Sequence, residues 1–188
     1  MTTLVVLWLP ILVSAAFVFV VSSVIHMALP IHKGDYAKLP DEDRLLDALR
    51  AVPAGQYVFP RANSMKDMSS PAMQEKFKRG PIGTMIIRTS SCMNMGTALG
   101  QWFAFCIVIG VCTAYMTGLA LAPGAASGTV FRIAGTAAVL CHAFSSVNDS
   151  IWKGVKWSTT IKFLIDGIVY GLVTGATFAW LWPAALPA

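Results

Sequence analysis

Charge is scarce in this chain and unevenly spread. Asp, Glu, Lys and Arg make up 12% of its 188 residues, where a soluble domain carries roughly twice that fraction. No charge falls between Leu4 and Ile25, and none between Thr89 and Phe131. A spanning helix needs about 20 apolar residues. With 56% hydrophobic residues and a mean hydropathy of +0.65, the chain reads as a polytopic membrane protein rather than a soluble domain.

Other absences narrow the reading further. The first apolar run has no basic stretch before it and no A-x-A-like site after it. It is also longer than the roughly 7–15 apolar residues of a signal peptide, so it is read as a retained helix. No C-x-x-C pair occurs. Cys92, Cys106, Cys112 and Cys141 lie at or within apolar stretches, where free thiols are expected rather than a disulfide framework. G-x-S-x-G, H-E-x-x-H, the Walker A loop and G-x-G-x-x-G are all missing. Ser, His and Asp occur in no triad-like arrangement, so the expectation is a non-enzymatic protein with no assigned cofactor. The net charge of +5 would suggest nucleic acid in a soluble chain. Here the basic residues border apolar runs, which favours anionic lipid headgroups of the bilayer as partner and excludes a nucleic-acid role.

What is present is an all-α integral membrane architecture, a bundle of four transmembrane helices. Residues 1–29 form the first unit, with the apolar run from Leu4 to about Met27, and residues 96–121 the second. APGAASG at 122–128 is a Pro-Gly turn. The third span is placed at 129–147, a polar loop at 148–160, the fourth span at 161–182 and a tail at 183–188.

Orientation follows from the cations. The segment between the first two spans holds Lys33, Lys38, Arg44, Arg50, Arg61, Lys66, Lys76, Lys78, Arg79 and Arg88. Lys153, Lys156 and Lys162 fall around the later polar loop, whereas both tails and the 122–128 turn have no Lys or Arg. The positive-inside rule then gives an N-out/C-out bundle with both basic segments in the cytoplasm. Trp152 and Trp157 bracket lysines as an inner aromatic belt would, with Trp8, Trp180 and Trp182 at the outer edge. Size and composition suggest a bacterial inner membrane.

Residues 30–95 are too long for a plain connection, so a small α/β cytoplasmic insert is expected. Acids from Asp41 and a basic Arg50 frame a helix over about 41–52. Ser70 as N-cap, Pro71 at the first helical position and Gly80-Pro81 as the stop frame another at about 70–79. Short strands are expected at about 56–60 and 83–89. Two strands alone are marginal in water, so the insert should lean on the bundle, as a docking element or simply as a topology-setting loop.

Three groups of residues carry candidate roles. Gly167, Gly171 and Gly175 recur every four residues, and the second span echoes them with Gly110 and Gly118. Small residues at that spacing let helices approach closely in lipid, within one chain or between copies. Beside the glycine row lie Asp166, Tyr170 and Thr174. His142 in the third span falls at a similar depth, so a His142–Asp166 hydrogen bond is expected, joined by His26. Ionisable residues within a span are functional candidates by default, and a structural clasp is the alternative. Finally, six of nine methionines lie between 65 and 95. Cys92, Met93 and Met95 offer soft ligands for Cu(I), although no standard His/Cys ligand spacing accompanies them. His26 and His142, on separate helices, are a possible axial pair for haem.

The sequence therefore favours a self-associating or partner-binding membrane protein, a homo-oligomer or a companion of another membrane protein. A small oligomeric transporter or proton-coupled permease using His142 and Asp166 is the alternative. A haem- or copper-binding membrane protein comes third.

Overall fold

The computed structural model describes residues 2–88 and 94–185. Helix α1 spans Trp8–Ser23 and runs on through a wider π-helical turn at Val24–Ala28. Its buried positions, among them Ile11, Ser14, Ala15, Val18 and Ser22, recur every three or four residues along one face. The hydroxyls of Ser14 and Ser22 are satisfied by their own helix, donating to the carbonyls of Ile11 and Phe19. Leu29 is extended, as suits a residue before proline, and Pro30 opens a single 3-10 turn, Pro30–His32.

The segment that follows holds α2 (Glu42–Leu49), β1 (Gly55–Phe59), α3 (Met65–Met68), α4 (Pro71–Arg79) and β2 (Gly83–Ile87). The two strands pair antiparallel, from Gly55 opposite Ile87 to Phe59 opposite Gly83. The Ser70 hydroxyl caps α4 by accepting from the Met73 amide, and Pro71 occupies its first turn. One hydrogen bond from this sheet to the helices is that of the Thr84 hydroxyl, which donates to the carbonyl of Lys153 at 3.3 Å.

Helix α5 spans Met95–Ala120 and is capped by the Asn94 side chain, which accepts from the Thr97 amide. Helix α6 spans Ser127–Ala143 and passes through one 3-10 turn, Phe144–Ser146, into α7, Val147–Lys153. Helix α8 spans Trp157–Trp180. The third helical run therefore continues to Lys153, and only residues 154–156 connect it to α8, which corrects the longer loop placed at 148–160. Polar residues hid this continuation: NDSIWK reads as a loop, but its Asp149–Lys153 ion pair, at 2.7 Å, is one helical turn long.

Four helical runs are long and apolar enough to cross a membrane, Trp8–Ala28, Met95–Ala120, Ser127–Lys153 and Trp157–Trp180. Helix α1 packs on α5 and α8, and α6 packs on the same two, so the four close into a ring. The tightest seam is α6 against α8. A Cβ at Gly167 would stand 2.5 Å from Ala143 Cα, one at Gly171 would stand 2.7 Å from Val139 N, and one at Gly175 would stand 2.8 Å from Gly135 Cα. Those glycines are what allow the two backbones to touch. Gly110 and Gly118 serve the seam between α5 and α1, where a Cβ would meet Ile11 at 3.2 Å and the Thr2 carbonyl respectively. All five glycine faces are thus filled within a single chain.

At the end away from the insert the bundle is clasped by its own termini. Thr2 donates from its amide to Gly118 O and from its hydroxyl to Leu121 O. Gly124 N donates to Pro183 O, and Trp182 Nε1 to Ala122 O. Leu7, Ile11, Ala114, Val130, Ala134 and Phe178 form the core at this end, and Ala15, Val18, Cys106 and Tyr170 the core nearer the insert.

Candidate functional site

Above that second core group the four helices part around a cavity of about 550 Å³. Ser22, Ser23, His26 and Met27 line it from α1 and its π turn, and Met95, Leu99, Trp102 and Phe105 from α5. Cys141, His142, Ser145 and Ser146 contribute from the third helical run, and Phe163, Asp166 and Tyr170 from α8. Aromatic and aliphatic surface dominates, with a few polar groups converging on it, the usual composition of a small-molecule site.

Each polar group has a structural reason to be there. Asp166 and Tyr170 share a face of α8 one turn apart, next to the glycine face that α6 occupies. Both are buried, at 5% and 4% exposure, and the Tyr170 hydroxyl has no hydrogen-bond partner among the described residues. His142 precedes Ala143, the residue Gly167 abuts, so it emerges on the same flank of the seam as Asp166. Its ring stands edge-on to Tyr170 at 5.5 Å and lies 6.2 Å from Trp102. Trp102 is fixed in turn by its indole N–H, which donates to Ser22 Oγ at 2.8 Å and ties α5 to α1.

The expected His142–Asp166 hydrogen bond is not formed. Asp166 turns instead toward the end of α1. Its Oδ2 lies 3.0 Å from His32 Nε2 and 3.7 Å from His26 Nε2. The depth of Asp166 and His142 is similar, but the side chains diverge: His142 leans on aromatic rings, and the carboxylate meets two imidazoles. The two histidines considered as an axial pair also part company. His26 stacks on His32, with ring centroids 4.3 Å apart, while His142 keeps to Tyr170 and Trp102.

His32 was missed because it follows Pro30, outside the first apolar run. The 3-10 turn folds it back beneath α1. A local pattern does announce it: His26 stands at the end of the span and Pro30, His32 and Asp35 follow closely on it, a chain reversal flanked by donors and an acid. His32 Nδ1 lies 2.7 Å from Asp35 Oδ2, and because a carboxylate only accepts, the ring donates. Lys162, from the second turn of α8, donates to Asp35 Oδ1 at 2.6 Å and to the Ile31 carbonyl at 2.8 Å. Lys162, and after it His32, hold the Asp35 carboxyl below its ordinary range against the opposing effect of burial. Phe163 covers both imidazoles, 6.1 Å from His26 and 5.4 Å from His32.

The soft-ligand candidates Cys92 and Met93 lie outside the described residues, and Met95 opens α5 with its side chain largely exposed.

Fold and site together are those of a membrane protein: a bundle of four helices long and apolar enough to cross a bilayer, with a largely apolar cleft, edged by a few polar groups, at the end that bears the insert. No protein-family model matches the chain, no curated protein matches it, and no solved structure matches its fold.

Proposed function

We propose that this protein is a small-molecule carrier of the membrane, one that holds an amphipathic guest non-covalently in the cavity between its helices. The observation that carries this reading is the cavity itself, about 550 Å³, with an unpartnered Tyr170 hydroxyl, the Asp166 carboxylate and the His142 ring at its wall. Apolar walls suit the body of an amphiphile, and the convergent polar groups suit its head. Ionisable groups inside a span cost free energy unless they serve a partner, a solute or a proton. The glycine faces support self-association poorly, because α1, α5, α6 and α8 fill them within one chain.

In this reading the insert faces the cytoplasm of a bacterial cell, with both tails outside, supported by the basic residues of 30–95 and of the α7–α8 turn. The cavity then opens toward the cytoplasmic half of the bilayer. Protein purified in mild detergent should yield, on organic extraction and mass spectrometry, an amphiphile near one per chain. Filling the cavity with Ser145→Trp should remove it. The same extract from wild type and S145W would overturn the reading.

A further inference from the structure

The three side chains at the foot of the cavity form an arrangement that hydrogen bonding leaves unexplained. His32 Nε2 and Asp166 Oδ2 are both buried and 3.0 Å apart, yet they are not aligned for a hydrogen bond and neither has a hydrogen-bond partner among the described residues. Asp35 accepts the hydrogen bond from His32 Nδ1–H, so in the neutral ring Nε2 presents a lone pair. A carboxylate oxygen presents lone pairs too. Two acceptors at that distance repel each other; a second ring proton or a cation where both point relieves this, and the poor alignment for a hydrogen bond favours the cation. His26 adds a third donor atom, and one ligand atom from each of His26, His32 and Asp166 lies within 4.8 Å of the others.

We propose that His26, His32 and Asp166 bind a divalent first-row transition-metal ion, with zinc or iron(II) chemistry rather than that of magnesium or calcium. Two imidazole nitrogens and one carboxylate oxygen are a donor set for the former, whereas magnesium and calcium take oxygen. Two ligand atoms each about 2.1 Å from an ion, at angles of about 90–110°, stand about 3.0–3.4 Å apart; His32 Nε2 and Asp166 Oδ2 already do, at 3.0 Å, and the partly exposed His26 ring, at 3.7 Å from Asp166, has to close in to join them. The supporting groups fit as well. A metal-bound imidazole ordinarily donates its other N–H to a carboxylate, which sets the tautomer and the ring plane. Asp35 does this for His32, and Lys162 holds Asp35 in turn. The π turn of Val24–Ala28 places His26 on the same side as His32, and such turns are frequent at functional sites. Three protein ligands leave coordination positions open, and Asp166 and His26 both line the cavity, so those positions face it. The metal site stands on these side chains alone, whatever the cavity holds.

The test uses the full chain purified in detergent through a tag without histidine, stripped with a chelator and titrated with Zn²⁺ and Co²⁺. Wild type should bind one ion per chain, and the Co²⁺ adduct should show visible absorption of a nitrogen- and oxygen-ligated site. H26Q, H32Q and D166N should each weaken binding by at least tenfold, D35N by about 10–100-fold, and E75Q, remote on α4, should match wild type. Should D166N fail to purify as a single species, H26Q decides, because that ring is partly exposed and no hydrogen bond depends on it. Absence of one-to-one binding, unchanged affinity in H26Q and H32Q, or a sulfur shell in the X-ray absorption spectrum would overturn the assignment. Recovery or loss of a bound amphiphile bears on the cavity and leaves this result untouched.

Discussion

Lys162 Nζ lies 2.6 Å from Asp35 Oδ1, joining two points 127 residues apart in the chain. The ammonium is partly exposed, but the carboxylate keeps only 3% of its surface. This pair fastens the turn after α1 to the start of α8. Removing the cation leaves a buried carboxylate with only the His32 ring as its partner among the described residues, which costs more than the pair contributes. Lys162→Met should therefore destabilise the chain by about 2 kcal/mol, a figure for a charged hydrogen bond that one partner shares with solvent. Arginine should retain most of the stability. Thermal unfolding in detergent compares the two, and equal midpoints for wild type and K162M would dismiss the role given to the pair.

Gly171 and Gly100 make a matched comparison. A Cβ at Gly171 would stand 2.7 Å from Val139 N, whereas one at Gly100 meets nothing within 4 Å. Gly171→Ala should push α6 from α8 and cost about 1–3 kcal/mol, the range for overpacking. Gly100→Ala should be neutral or stabilising by up to about 1 kcal/mol through helix propensity. The same unfolding assay reads both, and a harmless G171A would show that the seam is looser than described.

Trp102 and Ser22 provide a coupling measurement. The indole N–H of one donates to the hydroxyl of the other at 2.8 Å, and this bond ties α5 to α1 beside the cavity. W102F and S22A should each destabilise, and the double variant should lose about 1 kcal/mol less than the sum. Additive losses would mean the bond contributes nothing.

Orientation is open to a direct reading. Alkaline phosphatase fused after Pro183 should be active, since that point is expected outside, and inactive when inserted after Gly80. The reverse pattern would invert the bundle and place the cavity near the external face.

The four spans were legible because lipid demands long apolar runs: α1 and α5 are uncharged, and α8 carries only Lys162 and Asp166, both in its first half. The glycine spacing marked close approach, but a sequence does not say which helix approaches. Only the backbone shows Ala143, Val139 and Gly135 opposite the ladder. The polar pair was half legible. Asp166 stood out as a charge in an apolar segment, and matching its depth to His142 was sound as far as it went. Depth does not fix direction: a side chain's azimuth depends on how α1 and α5 close the ring. His32 escaped because periodicity is read within helices, and this histidine sits on a turn outside one.

The ladder of contacts around His32 also has a direction in time. The chain is made from its N-terminus, so His26, His32 and Asp35 exist well before Lys162 and Asp166, which arrive on the last helix. Until α8 inserts, Asp35 has no ammonium and the two imidazoles have no carboxylate between them. The cluster of His26, His32 and Asp166 is thus completed only when the bundle is. A chain arrested before α8 carries the His32–Asp35 pair without the Lys162 ammonium and without Asp166, a chemical signature by which an unfinished copy differs from a finished one.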